Sequence, residues 1–348
     1  MEYRLLGRSG LKVSAYSFGV MTFGGTGMFA GIGDTKAADA RRQIDMCRDA
    51  GVNLFDTADM YSEGESEELL AEALGTRRHE VLIATKFFFR SGPGANELGG
   101  SRHHIINACE ASLRRLKTDY IDLYQIHNQD LLTPPEETLR AFDDLVRAGK
   151  VRYIGSSNHS GWTQMRALAT SDRLGLTRYV SQQIKYSLLD RDSESELLPL
   201  GVHECVGAII WGPQASGYLT GKYRQAATDQ TTRLGTGGGL DSTDTEQARS
   251  VVALLAEIAG DHPGASLSQV ALNWVARKPG VSSILVGART SEQLADNLAA
   301  AGWSLSDDEI RRLDDASAVP MRYPYQMHRD YGADRNPGAE LLPAIPQS

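Results

Sequence analysis

The sequence predicts an α/β fold: a (β/α)8 barrel of eight parallel strands with an N-terminal β-hairpin and a C-terminal loop extension. Three observations carry this. Eight short apolar runs recur along the chain: Tyr16–Thr22, Val52–Thr57, Val81–Lys86, Tyr120–His127, Val151–Ser156, Tyr179–Ile184, Cys205–Trp211 and Ser282–Gly287. They are continuous rather than alternating, as strands buried on both faces must be. Most are followed by a stretch with apolar residues at helical spacing, and eight such β-then-α units favour a closed ring over an open sheet.

The elements can be justified in order. Tyr3 to Ser14 reads as a hairpin whose turn contains Gly7 and Gly10, placed to plug the N-terminal end of a barrel. Asp34 and Thr35 are good caps for a first helix that carries Ile44, Met46 and Cys47 inward. Glu67–Leu74, Arg102–Leu116, Glu136–Ala148 and Leu267–Arg277 show helical periodicity, and Gly51 and Gly149 follow helix ends, where a left-handed residue is needed. Thr290 or Ser291 begins a further helix. A chain of 348 residues would ordinarily suggest two domains, but a barrel of this kind exceeds ~250 residues as one. We therefore expect a single domain over 1–348, with its core at about 16–317 and a loop or tail at 318–348. The Gly- and Thr-rich stretch Gln225–Thr245 and the Pro- and Arg-rich stretch from Ala318 are candidate lids.

Composition narrows the function. Hydrophobic residues make up 41% and charged residues 23%, which excludes wholesale disorder. The net charge of −8 argues against nucleic-acid and anionic-membrane partners, which require a dense basic face. The N-terminus lacks a basic-then-apolar signal pattern, and no apolar run approaches the ~18 residues that span a membrane. Cys47, Cys109 and Cys205 are too few and too far apart for a disulfide scaffold, so we expect a cytoplasmic protein with Cys47 and Cys109 as helix packing and Cys205 as strand packing. His103 and His104 diverge on a helix, and His203, Glu204 and Cys205 form no closed ligand set, so no metal is expected.

Barrel enzymes carry their chemistry at the C-terminal ends of strands. Asp56 closes the second run, Lys86 the third and His127 the fourth. A charged group ending an apolar strand is costly unless paired, so three in succession point to one cluster. Tyr61 lies five residues past Asp56, enough to fold back over the strand end. A phenol titrates near ~10, and bringing it to neutrality requires about 4 kcal/mol of differential stabilisation. An ammonium at Lys86, oriented by Asp56, can supply it, and the His127 imidazole can aim a carbonyl oxygen. Together they describe a proton donor for carbonyl reduction.

These residues resemble the catalytic Asp, Tyr, Lys and His of the aldo-keto reductase superfamily. The stretches Gly19-Val20-Met21-Thr22-Phe23-Gly24, Asp56-Thr57-Ala58-Asp59-Met60-Tyr61, Val151 to Asn158 and Leu219-Thr220-Gly221-Lys222-Tyr223 are similar to the bacterial branch near the potassium-channel β-subunits. The resemblance implies reversible NADPH-dependent reduction of an aldehyde or ketone, with NADPH/NADP+ as cofactor and a small carbonyl or alcohol as substrate. It implies that Ser157, Asn158 and Gln183 hold the nicotinamide amide and that Trp211 stacks on its ring. It further implies that Gly212, Pro213, Gln214, Ala215, Ser216 and Lys222 run along the pyrophosphate, with Thr22, Asp56 and Arg233 in the cofactor set. Gly287, Ala288, Arg289, Gln293, Asp296 and Asn297 would take the adenosine end, with Arg289 on the 2′-phosphate. Relatives usually carry Ser where Gly212 stands, and Glu where Asp296 stands. Phe23, Met28, Phe29, Phe87 and Phe88, with Tyr323 or Tyr325, would line an aromatic substrate pocket. Self-assembly is left open. The second reading is a nucleotide-sensing protein partner with slow turnover.

A rival pattern exists. Thr26 to Gly33 matches the T-G-x-x-x-G-I-G fingerprint of short-chain dehydrogenases, and Tyr218 to Lys222 matches their Tyr-x-x-x-Lys pair. That family's serine would fall on Cys205, and the charged strand ends would be coincidence. We expect Gly24–Gly33 to be a loop beside the substrate pocket instead.

Overall fold

The computed structural model describes residues 1–222 and 245–335. Strands β1 (Tyr3–Leu5) and β2 (Lys12–Ser14) form an antiparallel hairpin with Tyr3 opposite Ser14. The barrel follows: β3 (Tyr16–Gly19), α1 (Ala37–Asp49), β4 (Leu54–Asp56), α2 (Glu65–Leu74), β5 (Leu82–Phe87), α3 (Arg102–Arg115), β6 (Ile121–Ile126), α4 (Pro135–Arg147), β7 (Val151–Ser157) and α5 (Gly161–Leu174). It continues with β8 (Ser181–Lys185), α6 (Leu197–Glu204), β9 (Gly207–Trp211), α7 (Glu246–Asp261), α8 (Leu267–Ala276), β10 (Val281–Val286) and α9 (Ser291–Ala299). Two further helices, α10 (Asp307–Ala316) and α11 (Tyr325–Arg335), complete it. Strands β3 to β10 pair in parallel in chain order and β10 returns to β3, so the barrel is closed. Each of the eight apolar runs overlaps one barrel strand, and four of the strands extend one residue beyond the run.

Strand periodicity divides the core in two. Phe55, Ile83, Phe87, Tyr124, Ile126, Ile154, Ala208 and Ile210 face outward and pack under the helices. Leu54, Ala84, Leu123, Ile209 and Leu285 face inward and meet Leu6 and Val13 of the hairpin segment, which fill the barrel from below. Gly7 makes this plug possible. Its φ is +57°, and an added Cβ would lie 2.4 Å from the Val180 carbonyl oxygen. Above this apolar layer the inward positions turn polar, which reserves the C-terminal mouth for chemistry.

Several expectations are corrected. Neither Asp34 nor Thr35 caps α1; Lys36 holds that position, because the Thr35 backbone is committed to pairing with Thr22 and Gly24. Cys205 is not in a strand; it ends α6 in a left-handed conformation, φ 54°. The stretch from Ala318 is not only loop, since it contains α11. The dehydrogenase pattern at Thr26–Gly33 forms a single 3-10 turn over Gly27–Phe29 within a closed barrel, and Tyr218 is buried in the core. Residues 225–244 of the expected lid, and Arg233 with them, lie outside the described residues. Among the described residues no helix is long and apolar enough to cross a membrane.

Candidate active site

The mouth is built by side chains of one parity. Asp56 on β4, Lys86 on β5, Gln125 on β6, Ser157 on β7 and Gln183 on β8 stand in one layer above the apolar plug. Lys86 is fully buried, and its three N–H groups are accounted for. They reach Asp56 Oδ1 at 2.5 Å, the Thr57 carbonyl oxygen at 2.8 Å and the Tyr61 hydroxyl at 3.4 Å. Burial works against the ammonium, but the Asp56 carboxylate and the Tyr61 oxygen outweigh it and hold its pKa raised. The other Asp56 oxygen accepts from Gln183 Nε2 at 2.8 Å and Gln125 Nε2 at 3.3 Å.

Tyr61 arrives by backbone pairing. The chain leaving β4 stays on β5, with Thr57 N–H on the Ala84 carbonyl at 2.9 Å and Asp59 N–H on the Lys86 carbonyl at 3.0 Å. It then turns through Ser62, Glu63 and Gly64, all at positive φ, which lays the phenol over the barrel mouth. The His127 ring stands edge-on to Tyr61 with centroids 5.7 Å apart. Burial, reinforced by the Lys86 charge, pushes the imidazole pKa well down, so His127 is neutral at pH 7. Its Nδ1 is buried without a partner among the described residues.

The expected cofactor residues gather along one side of the mouth. Asn158, at φ 53°, donates to the His127 carbonyl at 3.0 Å and accepts from Trp211 Nε1 at 3.0 Å. Ser157 Oγ donates to the Gln183 carbonyl at 3.1 Å. Beyond Trp211, the segment Gly212 to Gly217 contains Gly212, Ala215, Ser216 and Gly217 at positive φ, with Pro213 buried and Lys222 folded back against Gly217. Gln214 Nε2 donates to Asn297 Oδ1 at 2.7 Å, and Asn297 Nδ2 to the Gly287 carbonyl at 3.1 Å, tying this segment to α9. Thr22 Oγ1 donates to the Ala288 carbonyl at 3.0 Å. Thr290 caps α9, and Gln293 Oε1 accepts from Arg289 N–H. Asp296 does not join them: its carboxylate accepts from Ser266 Oγ and Gln269 Nε2 on the α8 side.

The aromatic set divides by strand parity and loop path. Phe29 stands edge-on to Tyr61 at 5.3 Å. Phe87 points away from the mouth, into the outer core against Tyr124, Phe142 and His104. Phe23 is likewise fully buried, against Phe18. Met28 is 78% exposed, Phe88 is half-buried, and Tyr323 is 83% exposed. Tyr325 is held by Glu196. Phe89, which the sequence reading did not single out, sits 5.0 Å from the His127 ring. Gln125 was also missed. Its signal was available, as an amide two positions beyond Leu123 on the inward face of an apolar strand.

Comparison with known proteins follows this geometry. A model described as the aldo/keto reductase family matches residues 16–318. A probable voltage-gated potassium channel subunit beta from Arabidopsis thaliana is 38% identical over 311 residues, covering 86% of this chain and 91% of the relative. The uncharacterized oxidoreductase YrpG of Bacillus subtilis is 37% identical over 331 residues, 92% and 97% of the two chains. Versiconal hemiacetal acetate reductase of Aspergillus parasiticus is 33% identical over 339 residues, 90% and 96%. By barrel, by mouth and by relatives, the chain belongs to the aldo/keto reductase family, as an oxidoreductase that reduces small carbonyl compounds with a nicotinamide cofactor.

Proposed function

We propose that this protein reduces an aldehyde or ketone to its alcohol with NADPH, using Tyr61 as the proton donor. The observation that carries the reading is the third N–H of a fully buried ammonium directed at the phenol oxygen, 3.4 Å away. When the phenol gives up its proton, that positive charge stabilises the phenolate left behind. Asp56 keeps the ammonium in place, and Gln125 and Gln183 keep Asp56 in place. Neutral His127 offers a hydrogen bond beside the phenol, so a carbonyl oxygen is aimed at Tyr61 without a second cation competing at the mouth. Phe29 and Phe89 flank the pair and favour a partly apolar or ring-bearing substrate.

The residues present fit a phosphorylated dinucleotide. An added Cβ on Gly287 would meet nothing within 4 Å, so the end of β10 is open to a ligand. The segment Gly212 to Gly217, with Gly212, Ala215, Ser216 and Gly217 at positive φ, the N-terminus of α9, Lys222 and Arg289 offer the amides and cations that phosphates require. Ser157, Asn158 and Trp211 would hold the nicotinamide, and Arg289 with Gln293 and Asn297 the adenosine end. A reduced nicotinamide held by these residues would supply the hydride for the carbonyl carbon. The reverse oxidation uses the same groups, with the phenolate as base.

A panel of aldehydes and ketones with NADPH and NADH tests this, read as loss of reduced-cofactor absorbance. Tyr61→Phe should keep the fold and NADPH affinity and slow reduction at least ~10²-fold. Near-normal turnover in that variant removes Tyr61 from the acid role. Tight NADPH binding by the wild type with no turnover across the panel would favour a nucleotide-sensing role, such as the channel-subunit name of one relative brings to mind.

A further inference from the structure

The connection between β3 and α1 is a closed loop with three anchors. At its base, Thr35 N–H donates to the Thr22 carbonyl at 3.1 Å and Gly24 N–H to the Thr35 carbonyl at 3.0 Å. On the near side it is tied to Ser62, the residue after Tyr61. Gly25 N–H donates to Ser62 Oγ at 2.9 Å, Ser62 Oγ donates to the Phe23 carbonyl at 3.0 Å, and Thr26 Oγ1 donates to the Ser62 carbonyl at 2.8 Å. On the far side it is tied to Arg289, whose Nε donates to the Ile32 carbonyl at 2.8 Å and whose Nη2 donates to the Gly31 carbonyl at 2.7 Å. Phe29 lies between the two side anchors, 5% exposed, with its ring on Tyr61.

We propose that Arg289 is a positioning residue for the substrate pocket: it pins Gly31 and Ile32, thereby holds Phe29 on Tyr61, and couples that loop to the 2′-phosphate of the cofactor. The phosphate half of this rests on the cofactor reading above; the pinning half does not. The guanidinium is planar, and two of its N–H groups serve adjacent carbonyls. Carbonyl oxygens are neutral acceptors, whereas a phosphate forms shorter and stronger charge-assisted bonds to the same fork. A 2′-phosphate therefore draws on the group that fixes the loop, and NADH, which lacks that phosphate, does not. The two cofactors present different Phe29 positions to the carbonyl substrate, and by linkage the substrate that fits one loop position favours the matching cofactor.

Hydrogen exchange followed by mass spectrometry on the full chain tests this. Without cofactor, Arg289→Ala should raise exchange of residues 25–33 about tenfold, the size of one net hydrogen bond to a charged donor, and leave strands β4 to β8 unchanged. Arg289→Lys keeps a cation for phosphate but lacks the planar fork that reaches both the Gly31 and Ile32 carbonyls, so it should loosen the loop similarly. In the wild type, exchange at 31–33 should differ between the NADPH and NADH complexes, and the difference should vanish in Arg289→Ala. At saturating NADPH both variants should raise the carbonyl KM by a larger factor than they change kcat. Unchanged exchange of residues 25–33 in both cofactor-free variants overturns the pinning. Equal exchange in the two wild-type complexes overturns the coupling. Calorimetric titration with NADPH and NADH separates the readings: failure to bind either defeats the cofactor assignment while leaving the cofactor-free exchange result to decide the pinning.

Discussion

Lys86 and Asp59 meet at a backbone hydrogen bond and have opposite fates. The Lys86 ammonium is buried and satisfied, so it remains charged. The Asp59 carboxyl is also buried, but neither oxygen has a hydrogen bond of normal geometry among the described residues. Burial, with the negative charge of Glu67 behind it, pushes its pKa up to about 8; Arg115, the Met60 amide and Lys86 pull the other way without prevailing. The sign of the stability effect follows. The native chain keeps this proton up to about pH 8, whereas the unfolded chain releases it near 3.8. Between those values the native state binds more protons, so this group's contribution is complete at the acid end and is lost as pH rises. Asp59→Asn removes the titration. Urea denaturation at about pH 5 and about pH 8 should show the variant gaining stability relative to wild type at the higher pH. An identical pH dependence in the two proteins would mean that Asp59 is ionised in the fold.

The exit of β5 shows how one element serves two layers. Lys86 faces the mouth, so its neighbour Phe87 must face the helices, and Phe89, past the strand end, returns to the mouth beside His127. Strand parity, already present in the sequence, would have exchanged Phe87 for Phe89 in the substrate set. The two rings should therefore respond differently. Phe87→Ala should cost about 3–5 kcal/mol of stability, as large core truncations do, measured by chemical denaturation. Phe89→Ala should leave stability nearly unchanged and alter the KM for aromatic carbonyls in steady-state assays. A stability loss of similar size for both would show that Phe89 is core. Asp296 shows the same dependence on its surroundings. It lies on α9 among residues that face the groove, but its side chain turns to Ser266 and Gln269, partners on a different element.

At the scale of the molecule, the barrel separates stability from chemistry by end. The hairpin segment seals the N-terminal end with Leu6 and Val13, and the polar layer occupies the opposite end. Leu6 is fully buried against strands from across the barrel. Leu6→Ala should lower the unfolding free energy by about 2–5 kcal/mol in one cooperative transition. Turnover per folded molecule should stay at the wild-type value, because the altered site and the mouth are at opposite ends. A parallel loss of kcat would show that the plug reaches the active layer.

The sequence by itself determined the closed barrel, because eight apolar runs alternating with helical stretches bury their surface in few other ways. It also determined the Asp56, Tyr61, Lys86 and His127 cluster, because charged groups closing apolar strands require partners. Helices α5, α6, α7, α10 and α11 were not separately legible, since their apolar faces are broken by polar residues that have local or tertiary partners, such as Gln164 on Ser156 and Tyr325 on Glu196. Only the tertiary structure decided which aromatic rings reach the mouth, where Asp296 and Thr35 spend their hydrogen bonds, and that Arg289 holds the loop bearing Phe29. These are contacts between segments far apart in the chain, and periodicity along one segment carries no information about its partner on another.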